Sequence, residues 1–198
     1  NCELPIDILK NGTEVDLSGQ GLGVKDAIII AGCINVSASM KKMNVLSNSI
    51  DKEGGQALVD AAPLQLQTFC GFEEGQTKAD LSGKPGKRLG SGDAVLLAWE
   101  LTSGVVSASL TELWISSNNI GKGGAVALAE ALKVNASLTE LNIGLNKIGN
   151  DGAVELAKAL HVNASLKSID LSENQLGKDG AVALGKALEV NASMISLK

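Results

Sequence analysis

SLTELNIGLNKIGNDGAVELAKALHVNA, residues Ser137 to Ala164, is the stretch from which the architecture of this chain can be read. SLTELWISSNNIGKGGAVALAEALKVNA precedes it from Ser109, and SLKSIDLSENQLGKDGAVALGKALEVNA follows it from Ser165. The starts at 109, 137 and 165 are 28 residues apart, and a further copy opens at Ser193 as SMISLK. Self-similarity at a fixed period of this length is the mark of a repeat architecture, in which each unit buries its apolar face against the next.

Inside one repeat, Leu138, Leu141 and Ile143 follow L-x-x-L-x-L. Alternation over such a short run turns Leu141 and Ile143 to one face of a strand and Glu140, Asn142 and Gly144 to the other. Asn146 and Ile148 follow, and the equivalent places hold Asn118 and Ile120, then Asn174 and Leu176. An inward asparagine is expected to pair backbone groups of the turn that would otherwise be buried without partners. From Asp151 the spacing becomes helical, with Ala153, Leu156, Ala157 and Leu160 at i, i+3, i+4 and i+7. Each helix runs into V-N-A-S. That asparagine is read as a left-handed helix stop, and the recurring Gly124, Gly152 and Gly180 as residues of the strand-to-helix turn.

A strand, a helix and the next parallel strand form a right-handed crossover. Strands stack about 4.8 Å apart while helices need roughly 8–10 Å, so the stack must curve with its strands on the concave side. These repeats resemble the ribonuclease-inhibitor-like class of leucine-rich repeats, which also occurs in Ran GTPase-activating protein and in NOD-like receptors. The resemblance implies an α/β leucine-rich-repeat solenoid, a horseshoe with a parallel β-sheet on the concave face and α-helices on the convex face. It implies recognition rather than a reaction. The whole chain, 1–198, is read as one such domain, irregular over 1–108 and regular over 109–198 with the last repeat truncated.

The 198 residues are 44% hydrophobic with a formal net charge of −5, within the range of globular chains. Aromatic residues make up only 2%, which suits a core of small aliphatic side chains. The acidic balance speaks against nucleic acid or an anionic membrane as partner. The longest apolar run, Ala27 to Ile34, is too short to span a bilayer. Cys2, Cys33 and Cys70 form neither a disulfide framework nor a metal-site pattern, so a reducing, intracellular and cytoplasmic setting is expected, with no metal and no cofactor. The chain starts at Asn1 without an initiator Met or a signal-peptide pattern, which reads as processing or truncation.

The first half carries the same repeat in worn form. Thr13 to Ser18 reads as a strand, followed by a helix through Ala27, Ile30 and Ile34. Met40, Met43 and Val45 then take the L-x-x-L-x-L places, and a helix is expected from about Glu53 to Ala62, ended by Pro63. A longer duplication aligns Asp16-Leu17-Ser18-Gly19 with Asp80-Leu81-Ser82-Gly83, and Asp26-Ala27 with Asp93-Ala94. Between the copies, Leu66 to Cys70 reads as a strand with no room for a helix before the next one near Thr77. Phe69 and Phe72 are expected to fill the space that helical side chains would occupy. Together the repeats predict one continuous parallel sheet of about eight strands.

The concave face is the default binding surface of such a fold, because its outward side chains are not needed by the core. It is expected to present Thr13, Glu14 and Asp16, then Lys41, Lys42 and Asn44, then Lys78 and Asp80. Glu112, Trp114 and Ser116 follow, then Glu140 and Asn142, then Lys167, Asp170 and Glu173. The partner-binding candidates are Glu112, Trp114, Glu140, Asn142, Asp170 and Glu173. Trp114 stands where the equivalent places hold Asn142 and Asp170, so it is either a binding hot spot or a cover for neighbouring strands. The loop Lys84-Pro85-Gly86-Lys87-Arg88 is an insertion; it reads first as a solvated turn, and Lys84, Lys87 and Arg88 are the second candidate surface. His161 takes the place of Lys133 and Glu189 and has no recurring partner, so no catalytic residue is expected. Five Asn-x-Ser/Thr sequons occur, at Asn11, Asn35, Asn135, Asn163 and Asn191; four belong to the helix-stop loop and are read as structural. Gly121-Lys-Gly-Gly lacks the spacing of a phosphate loop.

The sequence therefore predicts a non-enzymatic protein-recognition or scaffold module working through its concave face and loop edge. Two rivals are a structural subunit embedded in a larger assembly and a GTPase-activating protein similar to the Ran regulator. Because Ser193 to Lys198 begins a repeat without supplying a polar cap, either further chain or another subunit is expected over that edge.

Overall fold

A computed structural model describes residues 3–84 and 86–198. Helices and strands alternate along the chain: α1 (Ile6–Asn11), β1 (Glu14–Asp16), α2 (Val24–Ile34), β2 (Lys42–Asn44), α3 (Lys52–Asp60) and β3 (Lys78–Asp80). Then come α4 (Ser91–Thr102), β4 (Glu112–Trp114), α5 (Gly121–Val134), β5 (Glu140–Asn142), α6 (Gly149–Val162), β6 (Ser168–Asp170), α7 (Gly177–Val190) and β7 (Ser196–Leu197). All pairings between these strands are parallel, and each helix packs on the next. This is the α/β solenoid that the repeat pattern predicts. Leu113, Leu141 and Ile169 lie in register and buried, so the inward residue of each strand meets its equivalent in the next repeat. One apolar cluster runs from Leu9 to Ala187.

The inward asparagines do what their spacing implies. The amide of Asn146 donates to the carbonyls of Ile115 (2.8 Å) and Ile143 (3.0 Å), and its oxygen accepts from Ile120 N–H (3.3 Å). Asn118 and Asn174 bond their own turns in the same way, and Asn48 does so in the first half. A second ladder runs along the opposite rim. Asn135, Asn163 and Asn191 of the V-N-A-S loops donate to backbone carbonyls of the preceding repeat. Their φ values of −70°, −74° and −77° are extended, which corrects the reading of these residues as left-handed stops. Position in the stack, rather than tolerance of positive φ, selects asparagine there. It also places the Asn135 and Asn163 sequons inside the fold.

The recurring glycines need a similar correction. Gly124, Gly152 and Gly180 lie within the first turns of α5, α6 and α7 rather than in the strand-to-helix turn. A Cβ on Gly124 or Gly180 would come within 2.7 Å of Ala94 or Ala153 on the preceding helix. These positions let the helices approach closely. Positive φ in these turns falls on Gly121, Gly149 and Gly177, and also on Ser117, Leu145, Lys147, Glu173 and Gln175.

The sheet is not continuous. It forms a two-stranded piece, β1-β2, and a five-stranded piece, β3-β4-β5-β6-β7. The expected strand over Leu66–Cys70 is reduced to single bridges, Lys42 with Thr68 and Asn44 with Cys70. This segment accepts from β2 and its continuation, Met43 N–H to Thr68 O (2.9 Å) and Val45 N–H to Phe69 O (3.1 Å). On its other flank, Phe69 and Cys70 N–H turn to the carboxylate of Glu100 rather than to β3. The helix layer closes over the gap. A Cβ on Gly55 of α3 would sit 2.8 Å from the Gly92 carbonyl oxygen of α4, so these backbones touch. The strand layer thus holds one segment that the helix layer lacks. Phe69 and Phe72 are buried in that wedge, with the Trp99 ring edge-on to Phe69 at 5.1 Å.

Unbroken ladders on both rims should make the regular half the more protected one. Native-state hydrogen exchange is expected to be slower at Leu113, Leu141 and Ile169 than at Phe69 and Ala79 by one to two orders of magnitude, about 1.4–2.8 kcal/mol in opening free energy. Equal protection across the two halves would contradict this.

Candidate functional site

Each of the strands β1 to β6 has three residues, of which the first and third point outward. At the third place stand Asp16, Asn44, Asp80, Asn142 and Asp170 in β1, β2, β3, β5 and β6. Each accepts through its side-chain oxygen from the backbone N–H two residues on, at 2.8, 3.2, 3.0, 3.1 and 2.9 Å in that order. These Asx turns end the strand and bend the chain towards the loop rim. The N–H of Ser82 holds the Asp80 carboxyl below its ordinary range, and the Ser172 hydroxyl does the same for Asp170. Asn142 and Asp170 therefore have a structural duty that the bare alternation did not reveal.

In β4 the third place is Trp114. An indole has no oxygen to close the turn, and the ring is 38% exposed. Its N–H donates to Glu140 Oε1 at 3.1 Å, which lays the ring towards β5. In register, Trp114 has Asp80 on one side and Asn142 on the other. Glu112 takes the Lys78 ammonium at 2.7 Å, and that carboxylate raises the lysine above its ordinary pKa. Glu112, Trp114, Glu140, Asn142 and Asp170 thus share one face across β4, β5 and β6.

Glu173 does not join them. It lies beyond β6 with φ 57°, in the turn that leads to α7. There it shares a rim cleft of about 270 Å³ with Arg88, Lys147 and Gln175. Arg88 and Lys147 also border an adjoining cleft of about 520 Å³ with Asp51, Ser91 and Asn119. Lys84 and Lys87 pair through their backbones in a tight turn and leave both side chains exposed. Pro85 of that loop and Cys2 lie outside the described residues.

Two buried acids escaped the sequence reading. Asp93 Oδ2 accepts from Gly90 N–H at 2.7 Å and Oδ1 from Ser47 N–H at 2.8 Å, joining two repeats. Its counterpart Asp26 makes the first of these bonds only, to Gly23 N–H, as the duplication leads one to expect. Glu100 is fully buried; its Oε1 accepts from the Thr68 hydroxyl and from Phe69 and Cys70 N–H, while Oε2 has no hydrogen-bond partner. Burial pushes the carboxyls of Asp93 and Glu100 up to about 7 and about 6. Burial also pushes the Cys70 thiol well up, which keeps it protonated and poorly nucleophilic. Among the described residues no cluster of His, Cys, Asp and Glu is placed to hold a metal, and no helix is long and apolar enough to cross a membrane.

The leucine-rich-repeat family matches residues 106–129, 134–157 and 162–185, the same 28-residue spacing. Residues 106–185 are leucine-rich repeats. Among solved structures, leiomodin-1 actin-binding site 2 superposes with a TM-score of 0.54 at 20% identity, over 61% of this chain and 68% of its own. The C-terminal domain of Caenorhabditis elegans tropomodulin aligns over 94% of this chain and 90% of its own, with a TM-score of 0.39 and 14% identity. A leucine-rich-repeat-containing protein of Legionella pneumophila aligns over 93% of this chain and 81% of its own, at 0.27 and 14%. No curated protein matches this chain. At these identities the leiomodin likeness is one of fold.

Within the leucine-rich-repeat strand face, Trp114 is the residue that gives up a structural bond. Trp114→Asn should restore the Asx turn to Ser116 N–H and raise unfolding stability by about 1 kcal/mol, the scale of one net hydrogen bond. Urea denaturation of the variant checks this, and a loss of stability would show that the indole serves packing instead.

Proposed function

We propose that this chain is a non-enzymatic recognition module that binds another protein through its strand face and the adjoining loop rim. The observation that supports this reading is Trp114. Five of the other strands carry Asp or Asn where β4 carries an exposed indole, so the position departs from what the fold asks for. Large aromatics that are exposed, held in one orientation and ringed by polar groups are the usual anchors of protein interfaces. The buried acids are engaged in holding repeats together.

A photo-crosslinking residue in place of Ser168, which points outward on β6, is expected to capture a protein partner from cell extract; the same residue in place of Val182 on the helical side is not. With that partner purified, Trp114→Ala should weaken binding by about 2 kcal/mol, roughly 30-fold in Kd, with little change in stability. Crosslinks at Val182 alone would move the interface to the helices. Unchanged affinity in Trp114→Ala would move it to the loop rim, where Arg88→Ala is the next variant.

A further inference from the structure

The environment of Trp114 also narrows the chemistry of the partner, on the assumption that the strand face is the protein-binding surface. The indole N–H is spent on Glu140, so what the ring offers a ligand is its π-face, which is electron-rich. Around that face the side chains are acidic: Asp80 beside it in register, Glu140 at its N–H, and Glu112 two residues earlier on the same strand. Lys78 is committed to Glu112 at 2.7 Å. Asp80 also feels Lys84 from the basic turn, and Glu140 feels Lys78 only at longer range because that ammonium is bonded to Glu112, so three carboxylates share two lysines around the ring. A π-face among carboxylates that outnumber their lysines attracts a cation and repels an acid.

We propose that Trp114, Glu140 and Asp80 form a seat for a lysine or arginine side chain, and that the strand face binds a basic segment of its partner protein. The aliphatic stem lies on the indole and the charged head reaches the carboxylates. The basic turn at Lys84, Lys87 and Arg88 bounds the seat at the rim, so the segment crosses the strands over β4 and β5 rather than over β3.

The test uses a capped ten-residue peptide of alternating arginine and glycine, titrated calorimetrically into the full chain at low salt. Peptides with citrulline or glutamate in place of arginine serve as controls. The arginine peptide should bind, the citrulline and glutamate peptides should not, and added salt should weaken binding. Trp114→Asn, which keeps the strand-end turn, should lower affinity at least tenfold, and Glu140→Gln several-fold. Arginine-peptide binding that is absent up to about 1 mM, or equal in wild type and Trp114→Asn, overturns the inference. If the crosslinker at Ser168 still captures a protein in that case, the recognition reading stands and only the basic-segment assignment falls. If no crosslink forms on the strand face, both fall.

Discussion

Glu100→Ala should cost this chain about 3 kcal/mol, more than any surface change, because one carboxylate stands in for a missing stretch of sheet. In the regular half, the N–H groups of each strand find carbonyls on the next. Phe69 and Cys70 N–H have no such strand, and Glu100 Oε1 takes them at 2.7 and 3.1 Å together with the Thr68 hydroxyl at 2.7 Å. Thr68 Oγ1 in turn accepts from Cys70 and Phe72 N–H, both at 3.0 Å. Alanine would leave this buried cluster without its acceptor and open a void beside Phe69 and Trp99. Glu100→Gln keeps an acceptor oxygen in place and should lose much less. Urea unfolding of both variants decides it, and equal stability of Glu100→Ala and wild type would refute the role.

Glu100 and the other buried acid, Asp93, predict an unusual pH dependence. Burial raises Asp93 from an ordinary 3.8 to about 7 and Glu100 from 4.5 to about 6. A carboxyl whose folded pKa is raised favours the fold while protonated. Its contribution is complete below the unfolded value and is lost as pH rises through the folded value. The window therefore runs from about pH 4 to about pH 7, and stability should fall across it. The shifts correspond to on the order of 4 kcal/mol for Asp93 and 2 kcal/mol for Glu100. The carboxyls of Asp80 and Asp151, which are exposed, and of Asp170, which is half-buried, are lowered instead, so they act below pH 4 and do not mask the trend. The urea midpoint should be higher at pH 5 than at pH 8, and Glu100→Gln should flatten part of the slope.

What the chain shows as text is whatever recurs. Leu113, Leu141 and Ile169, or Asn118, Asn146 and Asn174, are legible because each place appears three times at one spacing and the physical demand is local. The V-N-A-S asparagines recur equally well, yet their role was misread. Their bonds go to the preceding repeat, about 30 residues back, and only the stack brings those carbonyls near. The Asx turns were visible as Asp-Leu-Ser in two copies, but they served there to align a duplication rather than to explain the strand end. The sheet break could not be read at all. Glu100 sits in the apolar run VLLAWEL, and its partners lie at Thr68, Phe69 and Cys70 in a segment without periodicity. Of the strand-face candidates, Trp114 was found by comparison with Asn142 and Asp170. That comparison gains force once those two are seen to close their own turns.

The asparagine ladder yields the second large effect. Asn146 is fully buried, and its amide donates to Ile115, Ile143 and Gly144 carbonyls at 2.8, 3.0 and 3.0 Å. Its oxygen accepts from Ile120 N–H. Alanine in its place would leave Ile120 N–H buried without its acceptor, at about 1–3 kcal/mol, and a void where the amide stood adds to that, while the Ile115, Ile143 and Gly144 carbonyls each keep one donor, from Asn118, Asn174 and Ser117. A net loss of about 3 kcal/mol is expected. Asn146→Asp separates donation from shape. The carboxylate has nearly the same outline and can still accept from Ile120, but it would point a buried negative charge at carbonyl oxygens. It should therefore be worse than alanine at pH 8, and should recover partly at pH 5 as protonation supplies one donor. Asn119→Ala, one residue past the equivalent Asn118 and largely exposed, is the neutral control. If Asp is tolerated at 146 as well as Asn at neutral pH, the ladder is not held by amide donation and the repeat must close its turns by some other means.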